Sequence, residues 1–259
     1  MVTTKHDGTS QEVVSEAIQK VIEFAANTTN SAVTISGSFK CDHGDDINYT
    51  ITQSSYYGYR AIDLGLPSKL KWASCNVGAD KPEEYGKYFQ WGDVEGEAIA
   101  DNAQPTRTYD WTNAPYKSGS SSTSYTKYTP TDGKTVLEPS DDAAHAIMGG
   151  NWRMPTSAEF QDLYDNTTRE WVNIGGVNGY RFTSTKEGYT DKSIFIPASG
   201  SCDGTSLILR GAYGYYWSSS LYSSNPLCAY NLFFNSGNVY PQSYGNRRSG
   251  FSVRGVVSE

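Results

Sequence analysis

The chain has no apolar run approaching the roughly 20 residues that a membrane-spanning helix needs, so no segment reads as a membrane span. Cysteine is scarce. Cys41, Cys75, Cys202 and Cys228 lie far apart, with no spacing of a zinc knuckle or a CxxC redox pair, and the expectation is free thiols rather than a disulfide pair. Histidine is scarcer still. His6, His43 and His145 are too scattered to suggest a metal site or a triad, so the reading has no metal and no cofactor. The start, Met1-Val2-Thr3-Thr4-Lys5-His6, lacks the charged-then-apolar layout of a signal peptide. The chain is acidic, with a formal net charge of −7 over 259 residues. Clustered Lys and Arg are what grip phosphates, so nucleic acid is excluded as a partner.

The sharpest absence is local. Residues 204–258 contain no Asp, no Glu and no Lys; Arg210, Arg247, Arg248 and Arg254 are their only charges. This segment therefore carries +4 while the remainder of the chain carries −11. What it does contain is Tyr213, Tyr215, Tyr216, Tyr222, Tyr230, Tyr240 and Tyr244 among Ser, Gly and Asn. Tyr offers a large rigid surface with a polar tip and few rotors to freeze, and Ser, Gly and Asn supply adaptable hydrogen bonding. Lys and acids are costly to desolvate and are depleted at interface cores, where Tyr and Arg dominate. The bland alternative is a buried Tyr-rich sheet. The Gly, Ser and Asn content favours a surface that binds something.

Two parts are expected, divided near residue 58. In residues 1–58, Thr9 and Glu12 fit a capping box, and Val14, Ile18, Val21, Ile22 and Ala25 form one apolar stripe, which predicts a helix over 9–26. Val33, Ile35, Ile47, Tyr49 and Ile51 alternate with polar residues and predict two or three strands. This module is expected to attach the chain to a larger structure or to form a homo-oligomer. In residues 59–259, residues 118–125 read as a Ser-rich loop. Asp141–Met148 reads as a short helix closed by Gly149-Gly150, and Thr156 with Glu159 caps a second helix running to about Asp165. Strands are expected at Tyr180–Ser184, Ser193–Pro197, Tyr230–Phe234 and Phe251–Val257. The fold class is α+β: two short helices beside a loop-rich antiparallel sheet.

Several segments, in order, resemble one family. They are Ala61-Ile62-Asp63-Leu64-Gly65-Leu66-Pro67-Ser68, Lys71-Trp72-Ala73-Ser74-Cys75-Asn76-Val77-Gly78-Ala79, Phe89-Gln90-Trp91-Gly92, Gly150-Asn151-Trp152-Arg153-Met154-Pro155-Thr156, Tyr216-Trp217-Ser218-Ser219-Ser220 and Gly250-Phe251-Ser252-Val253-Arg254. Together they resemble the Fibrobacter succinogenes major paralogous domain over about 59–257. The resemblance implies a C-type-lectin-like fold, related to formylglycine-generating enzymes. It also implies a structural role for Trp72, Trp91, Trp152, Trp217 and Phe251 as core, and for Arg153 and Arg254.

The stretch from Tyr230-Asn231-Leu232-Phe233-Phe234-Asn235-Ser236-Gly237-Asn238-Val239-Tyr240-Pro241-Gln242 to Ser249 resembles a narrower group, the variable proteins of diversity-generating retroelements, which include phage major tropism determinants. There a reverse transcriptase randomises adenines of a template, so that Asn codons become a mixture lacking Met, Trp, Lys, Glu and Gln. The implied variable region is about 206–250. Its candidate ligand-binding positions are Ile208, Leu209, Tyr213, Tyr215, Leu221, Tyr222, Leu227, Cys228, Phe233, Tyr240, Ser243, Tyr244, Gly245, Arg248 and Ser249. Cys228 stands out as a lone thiol among Ser, Asn and Tyr, and Phe233 breaks strand alternation beside Leu232 and Phe234. The implied function is a non-enzymatic, diversified binder of a cell-surface protein or glycan, displayed on a phage tail tip or a bacterial surface. Three alternatives remain: an ordinary lectin-like adhesin; an oxidase of the formylglycine-generating type, which would need Cys202 and Cys228 as its thiol pair; and a calcium lectin, of whose motifs only Glu138-Pro139-Ser140 is suggested.

Overall fold

A computed structural model describes residues 33–39, 47–53, 59–118 and 125–258. The helix expected over 9–26, the boundary residue 58, Cys41 and most of the expected Ser-rich loop (119–124) lie outside the described residues. The chain divides into two units, Met1–Tyr57 and Gly58–Glu259. In the first, β1 (Val33–Phe39) and β2 (Ile47–Gln53) pair antiparallel, with Ile35 opposite Ile51. The exposed Ser36 and Thr50 hydroxyls lie 3.2 Å apart across the pair.

The second unit is mostly short antiparallel strands. In chain order these are β3 (Ala61–Asp63), β4 (Lys71–Ala73), β5 (Lys87–Tyr88) and β6 (Glu97–Ala98), then helices α1 (Ala143–Met148) and α2 (Ser157–Asp165). There follow β7 (Thr167–Ile174), β8 (Val177–Ser184), β9 (Ser193–Pro197), β10 (Ser201–Asp203), β11 (Ser206–Ile208), β12 (Tyr213–Leu221), β13 (Cys228–Asn235), β14 (Asn238–Asn246) and β15 (Val256–Val257). Three three-stranded sheets, β7-β8-β9, β12-β13-β14 and β15-β4-β3, carry the unit. The last joins its two ends, since Val256 pairs with Trp72. No helix among the described residues is long and apolar enough to cross a membrane.

Both helices start where their capping chemistry dictates. Thr156 Oγ1 accepts from Glu159 N, and the Glu159 carboxylate accepts from Thr156 N, which completes the capping box. Asp142, not Asp141, caps α1: its carboxylate accepts from the amides of His145 and Met154. Asp141 instead ends a 3-10 turn over Pro139–Asp141. The single strand expected over Phe251–Val257 is replaced by bridges from Phe251 to Phe89 and from Ser252 to Tyr216, with only Val256–Val257 in a ladder.

Two apolar clusters fill the unit. One joins Trp72, Phe160, Leu163, Phe182, Tyr216, Leu232 and Phe234; the other joins Phe89, Trp91, Tyr128, Trp217, Ala229 and Phe251. The β12–β13 ladder lies between them and gives one face to each. Trp72, Trp91 and Trp217 are fully buried. Trp152 is not a core residue as expected: it is half-buried, a lid on Tyr59, Cys75 and Ala79. Arg254 is fully buried, with Nε donating to Asn76 Oδ1 at 2.9 Å and its terminal nitrogens to the carbonyls of Ala73 and Phe195. It ties the segment after Phe251 to β4 and β9. Arg153 makes a two-pronged ion pair with Glu159.

Candidate ligand-binding face

Within residues 204–258, Tyr213–Leu221, Cys228–Asn235 and Asn238–Asn246 form a three-stranded sheet whose rows follow from strand period. On β12 and β13, Tyr216, Leu232 and Phe234 face the cluster that holds Phe160 and Leu163 of α2. Gly214 sits opposite Phe234, and a Cβ there would overlap that ring, so glycine is what allows the ring to lie flat on β12. The opposite face carries Tyr213, Tyr215 and Phe233, and Tyr240 pairs with Phe233 from β14. These rings form a ladder. Tyr213 and Phe233 are 5.9 Å apart, Tyr215 and Phe233 4.9 Å, and Phe233 and Tyr240 5.7 Å with planes inclined by only 16°. Its inner end is anchored: Tyr215 meets Phe251 at 5.0 Å, and Phe251 stacks on Trp217. Its outer end is open, since Tyr240 is 50% exposed.

A register shift then divides the candidate positions. Asn231 pairs with Ser243 but Phe233 with Tyr240, so Pro241 and Gln242 both oppose Leu232. Such a bulge on an edge strand suits proline, which has no N–H to donate. Beyond it, Tyr244 pairs with Tyr230 on the face of Leu232 and Phe234. There it stacks on Tyr222 at 4.4 Å with parallel planes, and Tyr222 meets Tyr230 edge-on at 5.2 Å. Tyr240 and Tyr244 therefore serve two patches on opposite faces, not one surface.

The remaining positions scatter. Ile208, the last residue of β11, and Leu209, in the loop before β12, are 43% and 44% exposed. Leu209 has φ +61°, a left-handed conformation that leucine resists and that asparagine or glycine adopts readily. Arg248 pairs with Asp203, lies over the Trp111 ring and donates to the Tyr109 carbonyl. Ser243, Ser249 and Leu227 are half-buried. Leu221 and Cys228 offer no surface, which corrects the expectation for both. Leu221 packs in the Trp217 cluster, and the buried Cys228 thiol sits 3.7 Å from Asn246 Oδ1. That contact is also the structural role the sequence did not suggest. Gly245 is constrained as well, because a Cβ there would come within 2.8 Å of the Phe251 ring.

The charge of the segment is partly internal. Arg247 is buried, with its guanidinium 4.7 Å from the Trp91 ring and 3.9 Å from the Tyr125 ring. It donates to the carbonyls of Tyr128 and Pro226, and burial pulls its pKa down to about 10, so it stays charged at neutral pH. Arg210 spans Tyr85 and Tyr88 and donates to the carbonyls of Ile99 and Ala100. It borders a cleft of about 1070 Å³ shared with Lys81, Glu84, Tyr85 and Asp101. A second cleft, about 530 Å³, opens beside Tyr213 and is lined by Trp171 and Asn178 of the β7–β8 hairpin and by the β13–β14 turn. Sequence reasoning missed Trp111, Trp171 and Asn178, because all three lie outside the compositionally odd segment.

No family model, no curated protein and no solved structure matches the chain.

Proposed function

We propose that the chain is a non-enzymatic ligand-binding protein of C-type-lectin-like fold, and that the outer positions of β12–β14 and the loop before them are a diversified recognition surface. The observation that carries this reading is the aromatic ladder. Rings anchored in the core at Trp217 and Phe251 run out to an exposed Tyr240 with no ionisable group other than phenols among them. A rigid aromatic row of this kind gives large contact area at small entropic cost.

Leu209 supports the diversified form of the reading. Its left-handed backbone suits asparagine, the residue from which a randomised codon would start, and leucine there is what indifferent substitution produces. Burial at Leu221 and Cys228 and the crowding at Gly245 favour constancy there, so the proposed variable set is narrowed to the other positions. The thiol environments favour a binder over an oxidase. Cys202 lies in a cluster with Tyr88 and Tyr109, and burial pushes its pKa up to about 12; burial also raises that of Cys228. Both are held as thiols, the less reactive form.

The ligand is a protein or glycan of another cell, and the setting is a phage tail tip or a bacterial surface. A displayed library randomised at Tyr213, Phe233, Tyr240, Tyr222 and Tyr244 tests the claim. Most members are expected to stay folded and to yield binders to unrelated targets. Widespread unfolding would show these rings to be structural.

A further inference from the structure

We infer that the cleft beside Tyr213 is a binding subsite for a single neutral sugar residue, formed by parts of the fold that are almost entirely outside the proposed variable set. Trp171, Asn178, Ala212, Tyr213, Asn235 and Ser236 line it, with glycine backbone between them. Among these only Tyr213 is a candidate variable position. The inference does not require that any residue be diversified.

The chemistry of the lining selects the ligand class. Apart from the Tyr213 phenol, no lining side chain is ionisable, so nothing there compensates a carboxylate, a phosphate or an ammonium group on losing its water. What the cleft offers is two aromatic side chains, two amides and one hydroxyl. A pyranose has the complementary pattern: an apolar C–H face for a ring and a rim of hydroxyls for amides. The volume of about 530 Å³ lies within the range of about 300–1,000 Å³ typical of small-ligand sites.

Both amides are fixed before a ligand arrives. Asn178 Nδ2 donates to Gly211 O at 3.0 Å, and its Oδ1 accepts from Asn173 Nδ2 at 2.8 Å. Asn235 Oδ1 accepts from the amides of Gly237 and Asn238, which close the β13–β14 turn. That leaves the Asn235 amide nitrogen with donors for a ligand hydroxyl. Trp171 is held by edge-on contacts with Tyr180 at 5.2 Å and Phe234 at 6.3 Å. Because these groups are already ordered, little entropy is lost on binding.

The test uses the full chain and saturation-transfer NMR at millimolar glucose, galactose, mannose and N-acetylglucosamine, with glucuronate as the charged control. At least one neutral sugar is expected to bind, and glucuronate is not. Ala212→Trp fills the cleft from an exposed position and should weaken binding by about tenfold or more. Glu187→Gln, exposed on the loop between β8 and β9 and outside the cleft lining, should leave it unchanged. If Ala212→Trp does not fold, Ser236→Trp fills the cleft from the turn instead. The inference is overturned if no neutral sugar binds, if binding survives a filled cleft, or if glucuronate binds equally well. None of these outcomes touches the diversified-surface reading, which is tested by sequence variation.

Discussion

Trp217 and Phe251 stack with ring centroids 4.1 Å apart and planes inclined by 28°, and this contact is the root of the row of rings that ends at Tyr240. Neither is exposed, whereas Tyr240 is half in solvent. The row thus passes from core to surface without a break, and its two ends should respond differently to substitution. Phe251→Ala leaves a cavity against Trp217 and Tyr215 and is expected to cost about 3–5 kcal/mol. Tyr240→Ser should change stability by only about 0.5 kcal/mol. Urea unfolding of the two variants reads both values; comparable losses would mean that the outer ring is structural.

Leu209 gives a prediction of opposite sign. Its φ of +61° costs a leucine about 1–2 kcal/mol that an asparagine largely escapes. Leu209→Asn should therefore stabilise the chain by about 1 kcal/mol, although it removes an apolar side chain. A lower urea midpoint would show that the leucine makes a contact that outweighs its backbone strain.

Acid should act through Asp141. Burial opposes its ionisation, but hydrogen bonds from Lys127, Tyr116, Tyr128 and Ser140 outweigh that and hold its pKa at about 2, below its ordinary 3.8. A depressed folded value means stability that is present above the unfolded pKa and is lost as pH falls through the folded one. Stability should drop between about pH 4 and pH 2, and Asp141→Asn should flatten that drop. Asp142 works the other way, because burial raises its pKa and its contribution fades as pH rises. Unfolding midpoints across that range, for the parent and the variant, separate the two.

The thiols should be silent in the folded chain. Cys75, Cys202 and Cys228 are free and buried, and burial raises the pKa of each. In a Cys41→Ser variant, a thiol reagent at mildly alkaline pH should react slowly until denaturant is added, and then with all three. Fast reaction of one thiol in the folded chain would contradict its burial.

Much of the frame was legible in the sequence because it is local. Thr156 with Glu159 marked one helix start, and Gly149 marked the end of the other. Ser193–Pro197 was legible as a strand because its apolar residues are continuous. Two strands at the site were hidden. Tyr213–Leu221 and Asn238–Asn246 are rich in Gly, Ser and Asn, which favour turns, and they become strands only because β13 pairs with both. The division of the tyrosines between two faces was not legible at all. It depends on one extra residue at Pro241–Gln242, and a one-residue slip moves everything beyond it to the other face. Leu221 and Cys228 were misplaced for the same kind of reason: composition does not say which side of a strand meets Trp217 and Phe251.

The measurement that bears most directly on the central claim is the sequence of this gene, with its flanking DNA, across a population of its source. Substitutions are expected to concentrate at Ile208, Leu209, Tyr213, Tyr215, Tyr222, Leu227, Phe233, Tyr240, Ser243, Tyr244, Arg248 and Ser249, with Trp217, Leu221, Cys228, Gly245, Phe251 and Arg254 constant, and with an adenine-bearing near-copy beside a reverse transcriptase. Codons at the first set as constant as those at the second would contradict that claim.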